Sequence, residues 1–195
     1  AEELKALAFI GQITNPSQKP IPQSPEDGEP IHHTITQEDL DNNPELAAEE
    51  VRRCAAKGSF AIAFSENVAK LGQPSLYTGK WDVLWDVCQE TDTSVSMHIG
   101  SSSSMPTTSD DAPLATSMSM YAQNAQGSLC DWVFSGSLER FPDITIAYAE
   151  SQVGWMPFQL ERMDAVWRDG RADVDHVKTL PSEQVKGRVY GCVFD

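Results

Sequence analysis

The strongest constraint on the fold is a repeated alternation: short apolar runs of strand length, each separated from the next by a stretch with helical periodicity. "FAIAFSEN", "SVSMHIG", "ITIAYAE" and "RVYGCVFD" recur every 34 to 50 residues. A near-continuous apolar run suits a strand buried on both faces of a parallel sheet. Between the runs, "WDVLWDVCQE" spaces Trp81, Leu84, Trp85 and Cys88 at i, i+3, i+4 and i+7, the stripe of an amphipathic helix. "GWMPFQLERMDAVWRD" does the same with Met156, Leu160, Met163 and Trp167. "NNPELAAEEVRRCAAKG" carries helix signals at both ends, with Asn43 as N-cap, Pro44 at the first helical position and Gly58 past the last turn. Strand, helix and strand in turn mean right-handed crossovers and a parallel sheet. Five strands are expected, near residues 5–12, 60–65, 94–98, 144–150 and 189–194.

Composition narrows the partners. With 29 acidic residues against 14 basic ones and a net charge of −15, the chain lacks the clustered cations that nucleic acids or anionic membranes require. It has no apolar run long enough to span a bilayer, and "AEELKALAFIGQ" has no basic region or cleavage pattern of a secretion signal. Cys54, Cys88, Cys130 and Cys192 are far apart without a CxxC and read as buried free thiols of a reducing compartment. A cytoplasmic protein acting on a small molecule is the expectation. A single domain over 1–195 is expected, interrupted by an irregular excursion at about 14–40 that holds five prolines. His32 and His33 lie in it and read as solvated loop residues.

The strand ends carry the chemistry. "AIAFSEN" ends in Ser65 and Glu66, "SVSMHIGSSSS" in His98 and Ser101 to Ser104, and "ITIAYAESQ" in Glu150 and Ser151. In parallel α/β folds the active site collects at the carboxyl ends of the strands. His98 is either a packed core histidine or an imidazole facing a pocket. Alternation favours the pocket. Ser94, Ser96 and His98 share one face and suit a crowded interior, while Val95, Met97 and Ile99 suit a helix layer. The same count groups Ile144, Ile146, Tyr148 and Glu150, so Glu150 joins His98 if that face is the inner one. An acid at this place needs a metal, a cation or water as partner. The serine run reads either as a plain loop or as a polar nest for a carboxylate.

The segments "KGSFAIAFSENVAKLGQPSLYTGKWDVLWDVCQETDTSVSMHIGSSS", "WVFSGSLERFPDITIAYAESQVGWMPFQLERMDAVW" and "VYGCVFD" resemble the amidohydrolase-2 family over roughly residues 40–195. This is the metal-dependent branch that includes aminocarboxymuconate semialdehyde decarboxylase and the resorcylate decarboxylases. The resemblance implies a (β/α)8 barrel of the TIM type holding one divalent metal, zinc or else manganese. It implies His98 as a metal ligand at the end of the fifth barrel strand and Glu150 as a catalytic base where other members carry histidine. Glu66, Ser101 and Ser102 are the candidate substrate-binding residues. Only about five βα units, strands three to seven, are recognisable. The metal-binding pair of the first strand and the aspartate of the eighth are not found, so 195 residues cannot make a complete orthodox barrel. The chain is then a fragment, a degenerate relative, or one completed from elsewhere. The implied activity is hydrolysis of an amide, ester or lactone, or decarboxylation of an aromatic or enoic acid. The alternative is a non-catalytic barrel remnant that binds or scaffolds. Open sheet edges add the expectation of a homo-oligomer.

Overall fold

The computed structural model describes residues 44–170 and 173–193. The expected strand at 5–12, the excursion at 14–40, His32, His33, Asn43 and the terminal Asp195 lie outside them.

Four strands form one parallel sheet in chain order: β1 (Ala61–Phe64), β2 (Ser94–His98), β3 (Ile146–Ala149) and β4 (Val189–Gly191). Register pairs Phe64 with Met97, Met97 with Tyr148, and Tyr148 with Gly191. The described residues also form seven α-helices: α1 (Pro44–Ala55), ahead of β1, and α2 (Asp82–Glu90), α3 (Leu114–Met120), α4 (Ala122–Phe134), α5 (Ser137–Arg140), α6 (Met156–Asp169) and α7 (Pro181–Val185) between the strands.

The two sheet faces differ in residue size. Ile62, Phe64, Val95, Met97, Ile146 and Tyr148 are buried in one core with Trp85, Leu129, Trp132 and Met163 from the helices. Aromatic rings fill its centre: Phe64 meets Trp81 and Trp85 edge-on at 5.1 and 4.9 Å, and Trp85 meets Trp132 at 4.6 Å. The opposite face carries Ala61, Ala63, Ser94, Ser96, Ala147 and Ala149, all half-buried. The assignment of Ser94, Ser96 and His98 to the face away from the helix layer therefore holds.

At the far edge, Gly191 is fixed by close approach. A Cβ there would stand 2.6 Å from Val153 Cγ1 and 3.3 Å from the Gln152 carbonyl oxygen, so the turn after β3 folds down onto bare backbone. Of the cysteines, Cys54 and Cys88 are buried as expected, but Cys130 is half-buried and Cys192 exposed. The last strand is at the sheet edge, where one face lacks a neighbour.

Candidate functional site

The carboxyl ends of β1, β2 and β3 bring three of the expected residues together. His98 closes β2 and is exposed, not packed against the helices. Its Nδ1 lies 2.8 Å from the Ile99 carbonyl oxygen. A carbonyl only accepts, so the ring proton sits on Nδ1 and the lone pair of a neutral ring is on Nε2. That Nε2 stands 3.4 Å from Glu150 Oε1, with both side chains more than half exposed, at 57% and 58%.

Glu150 reaches this position by a backbone device that alternation misses. Ile146 and Tyr148 face the helix layer, so the count that groups Glu150 with them aims it away from His98. Instead Glu150 has φ of 60°, followed by Gln152 at 58°. This left-handed conformation costs a non-glycine residue about 1 kcal/mol or more. It ends the strand and swings the carboxylate round to the imidazole. The next turn holds the new direction: the Trp155 indole N–H donates to the Ser151 carbonyl at 2.8 Å, and Trp155 packs edge-on against Tyr148.

Glu66 follows β1 and is buried, with 3% of its surface exposed. Both carboxylate oxygens are enclosed, and the Gly100 backbone N–H approaches them without reaching close hydrogen-bond geometry. Burial pushes the carboxyl up to about 7, and the nearby Gly100 amide, His98 and Lys70 pull it back only in part. The serine loop is tied to its backbone. The Glu66 backbone N–H donates to Ser101 Oγ at 2.9 Å. Ser102 is buried and accepts from Asn124 Nδ2 at 3.1 Å, while the same amide group donates to the Ser104 carbonyl at 2.8 Å. Lys70 Nζ in turn donates to Asn124 Oδ1 at 2.8 Å. The hydroxyls of Ser101 and Ser102 are thus engaged with the protein, holding the loop against β1 and α4. Sequence reasoning missed Asn124 and Lys70. Neither stands in a motif, and the only signal was a lysine one turn beyond "FSEN".

Two acceptors facing one another at 3.4 Å need a positive centre between them, either a proton on Nε2 or a cation. The spacing suits two adjacent corners of a tetrahedral divalent site, where donors about 2.0–2.2 Å from the ion lie about 3.4 Å apart. Among the described residues no third His, Cys, Asp or Glu completes such a cluster. His98 and Glu150 fit a metal as part of its ligand set. No helix among the described residues is long and apolar enough to cross a membrane.

Comparison with known proteins agrees with the fold. A family model described as Amidohydrolase matches residues 39–186. No curated protein matches the chain. Among solved structures, an amidohydrolase from Mycobacterium avium subsp. paratuberculosis K-10 superposes with a TM-score of 0.62 at 16% identity, over 80% of this chain and 40% of its own. The 5-carboxyvanillate decarboxylase of Sphingomonas paucimobilis superposes with a TM-score of 0.59 at 15% identity, over 77% of this chain and 45% of its own. The chain thus spans less than half the length of these solved proteins, and the shared fold is their barrel type. With the family match covering most of its length, the chain belongs to the amidohydrolase family.

Proposed function

We propose that this chain carries part of the active site of a metal-dependent hydrolase or decarboxylase acting on a small molecule, with His98 as one metal ligand and Glu150 beside it as ligand or general base. The observation that supports it is the His98 Nε2 to Glu150 Oε1 pair at 3.4 Å, with the imidazole tautomer fixed by the Ile99 carbonyl. Zinc or manganese is the ion this reading calls for, and a divalent ion, when bound, supplies Lewis acidity for either reaction. The remaining steps belong to the protein. The Ile99 carbonyl orients the imidazole and keeps Nε2 available as a donor atom. The exposed Glu150 carboxylate can accept a proton from the attacking water or from substrate. Ser101 and Ser102, tied to the Glu66 backbone and Asn124, set the shape of the loop beside the pair on the substrate side. The left-handed turn at Glu150 and Gln152 keeps the base pointed across the strand ends. A cytoplasmic homo-oligomer, paired through the open sheet edges, is part of the same reading.

The test is metal retention. The purified chain is equilibrated with Zn2+ or Mn2+, desalted and analysed for metal, with circular dichroism recorded alongside. Wild type should retain the ion. His98→Ala should lose it with an unchanged spectrum, because His98 is exposed and outside the core. A wild type that retains no ion, or a His98→Ala chain that retains as much, refutes the reading in favour of the non-catalytic remnant.

A further inference from the structure

Ser128 interrupts an apolar stripe. On α4 it stands among Ala125, Leu129 and Trp132, all fully buried, and it is fully buried itself. A hydroxyl in such a place costs free energy unless its hydrogen bonds are made. Ser128 makes two, and both run to the strands of the site. Its Oγ accepts from the Tyr148 hydroxyl at 3.1 Å and donates to Met97 Sδ at 3.4 Å. Met97 and Tyr148 are partners in register across β2 and β3. Met97 directly precedes His98, and Tyr148 stands two residues before Glu150. One hydroxyl of the helix layer therefore bridges the two strands just behind the His98–Glu150 pair.

The path continues from Tyr148. Trp155 packs edge-on against its ring, with centroids 6.0 Å apart, and donates to the carbonyl of Ser151, the residue after Glu150. Glu150 itself stands at φ of 60°, a conformation that persists only where the surroundings hold it. We propose that Ser128 is a positioning residue for the His98–Glu150 pair. By fixing the Tyr148 ring it gives Trp155 the surface against which the left-handed turn is held, so the carboxylate stands at the imidazole before an ion arrives. The inference rests on the functional reading above and deepens it. A ligand already in place loses less freedom on binding. A partner that orients a ligand without touching the ion sets metal affinity by about 10–100-fold. Ser128 reaches Glu150 through two side chains and a turn, so the lower end applies. Burial pushes the Tyr148 phenol far above its usual range, so it remains a donor to Ser128 at neutral pH.

The test takes two measurements on the 195-residue chain. The first is the NOE between the His98 ring and the Glu150 side chain in metal-free protein. The second is Zn2+ affinity by competition with a chelating dye, with Tm recorded for every variant. Ser128→Ala should lose the NOE and bind Zn2+ about tenfold more weakly. Tyr148→Phe breaks the same hydrogen bond from its other end and should match it. The double variant should bind no more weakly than either single, because one link is broken once. Ser128→Cys keeps a donor and an acceptor near the same place and should restore the NOE. Val133→Ala, five residues along α4 and fully buried, separates positioning from packing: it should lower Tm yet leave both measurements unchanged. An unchanged NOE and Zn2+ affinity in Ser128→Ala, single effects that add in the double variant, or the same losses in Val133→Ala would each overturn the proposal. The NOE keeps the two readings apart. A wild type that shows it, loses it in Ser128→Ala and binds no zinc refutes only the metal reading. Zinc bound equally by wild type and Ser128→Ala, with the NOE intact in both, refutes only this inference.

Discussion

Replacing Glu66 by glutamine should change how stability depends on pH, and the size follows from its burial. In the fold the carboxyl is pushed up to about 7 from an ordinary 4.5 because burial desolvates its charged form, which the Gly100 N–H, His98 and Lys70 offset only in part. The folded chain therefore holds a proton that the unfolded chain has released, over the window between those values. Stability from this group is complete below pH 4.5 and is lost as pH rises to about 7, where the loss levels off. The separation corresponds to about 3 kcal/mol, at 1.36 kcal/mol for each tenfold change in proton concentration. Urea unfolding of wild type and Glu66→Gln at several pH values between about 5 and 8.5 isolates this group, because all others titrate in both chains. Wild type should lose about 2–3 kcal/mol relative to Glu66→Gln across that range. Parallel curves, or a wild type that gains on the variant as pH rises, would show that the carboxylate is satisfied in the fold, and the reasoning would fail.

Other substitutions test the surrounding structure. At Glu150, glycine adopts φ of 60° without strain, so Glu150→Gly should be about 1 kcal/mol more stable than Glu150→Ala in thermal or chemical unfolding. Equal stabilities would mean that the left-handed turn is not populated. Gly191→Ala places a methyl group 2.6 Å from Val153 Cγ1 and should cost about 1–3 kcal/mol, read as a lowered Tm. Asn124→Ala removes both hydrogen bonds to the serine loop. Amide exchange at residues 101–104 should then quicken by about tenfold, whereas unchanged exchange would show that Asn124 does not hold the loop.

The sequence was most informative where side-chain size and backbone period agree. Val95 and Met97 alternate with Ser94, Ser96 and His98, and a regular strand has no other way to arrange them, so the orientation of His98 was legible. The place of Glu150 beside His98 was legible, but not by the correct path. Alternation along "ITIAYAE" aims it into the helix layer, and only a left-handed φ, which no residue type there signals, reverses it. The serine loop shows a third kind of limit. Ser101 and Ser102 were visible as polar groups beside the site, yet their partners are Glu66 and Asn124, 35 and 22 residues away. A hydrogen bond across such separations depends on tertiary packing and leaves no local pattern. Burial of Cys192 failed as an expectation because its neighbours in sequence are apolar while it lies just past the end of β4, the last strand of the described sheet.

The order of the sheet, β1 to β4 in chain sequence with each strand pairing only with the one made before and after it, has a consequence for biosynthesis. A ribosome delivers the strands in the order in which they must pair, so each new strand meets a template already waiting. His98 emerges on such a template with one side of β2 open, and about 50 residues must follow before Glu150 arrives on β3. During that interval the nascent chain exposes an unpaired parallel edge and the aromatic side chains meant for its helix layer, the features that recruit chaperones and drive misassembly. The two halves of the site are thus separated in time as well as in sequence, and the imidazole has no carboxylate beside it until the third strand has docked.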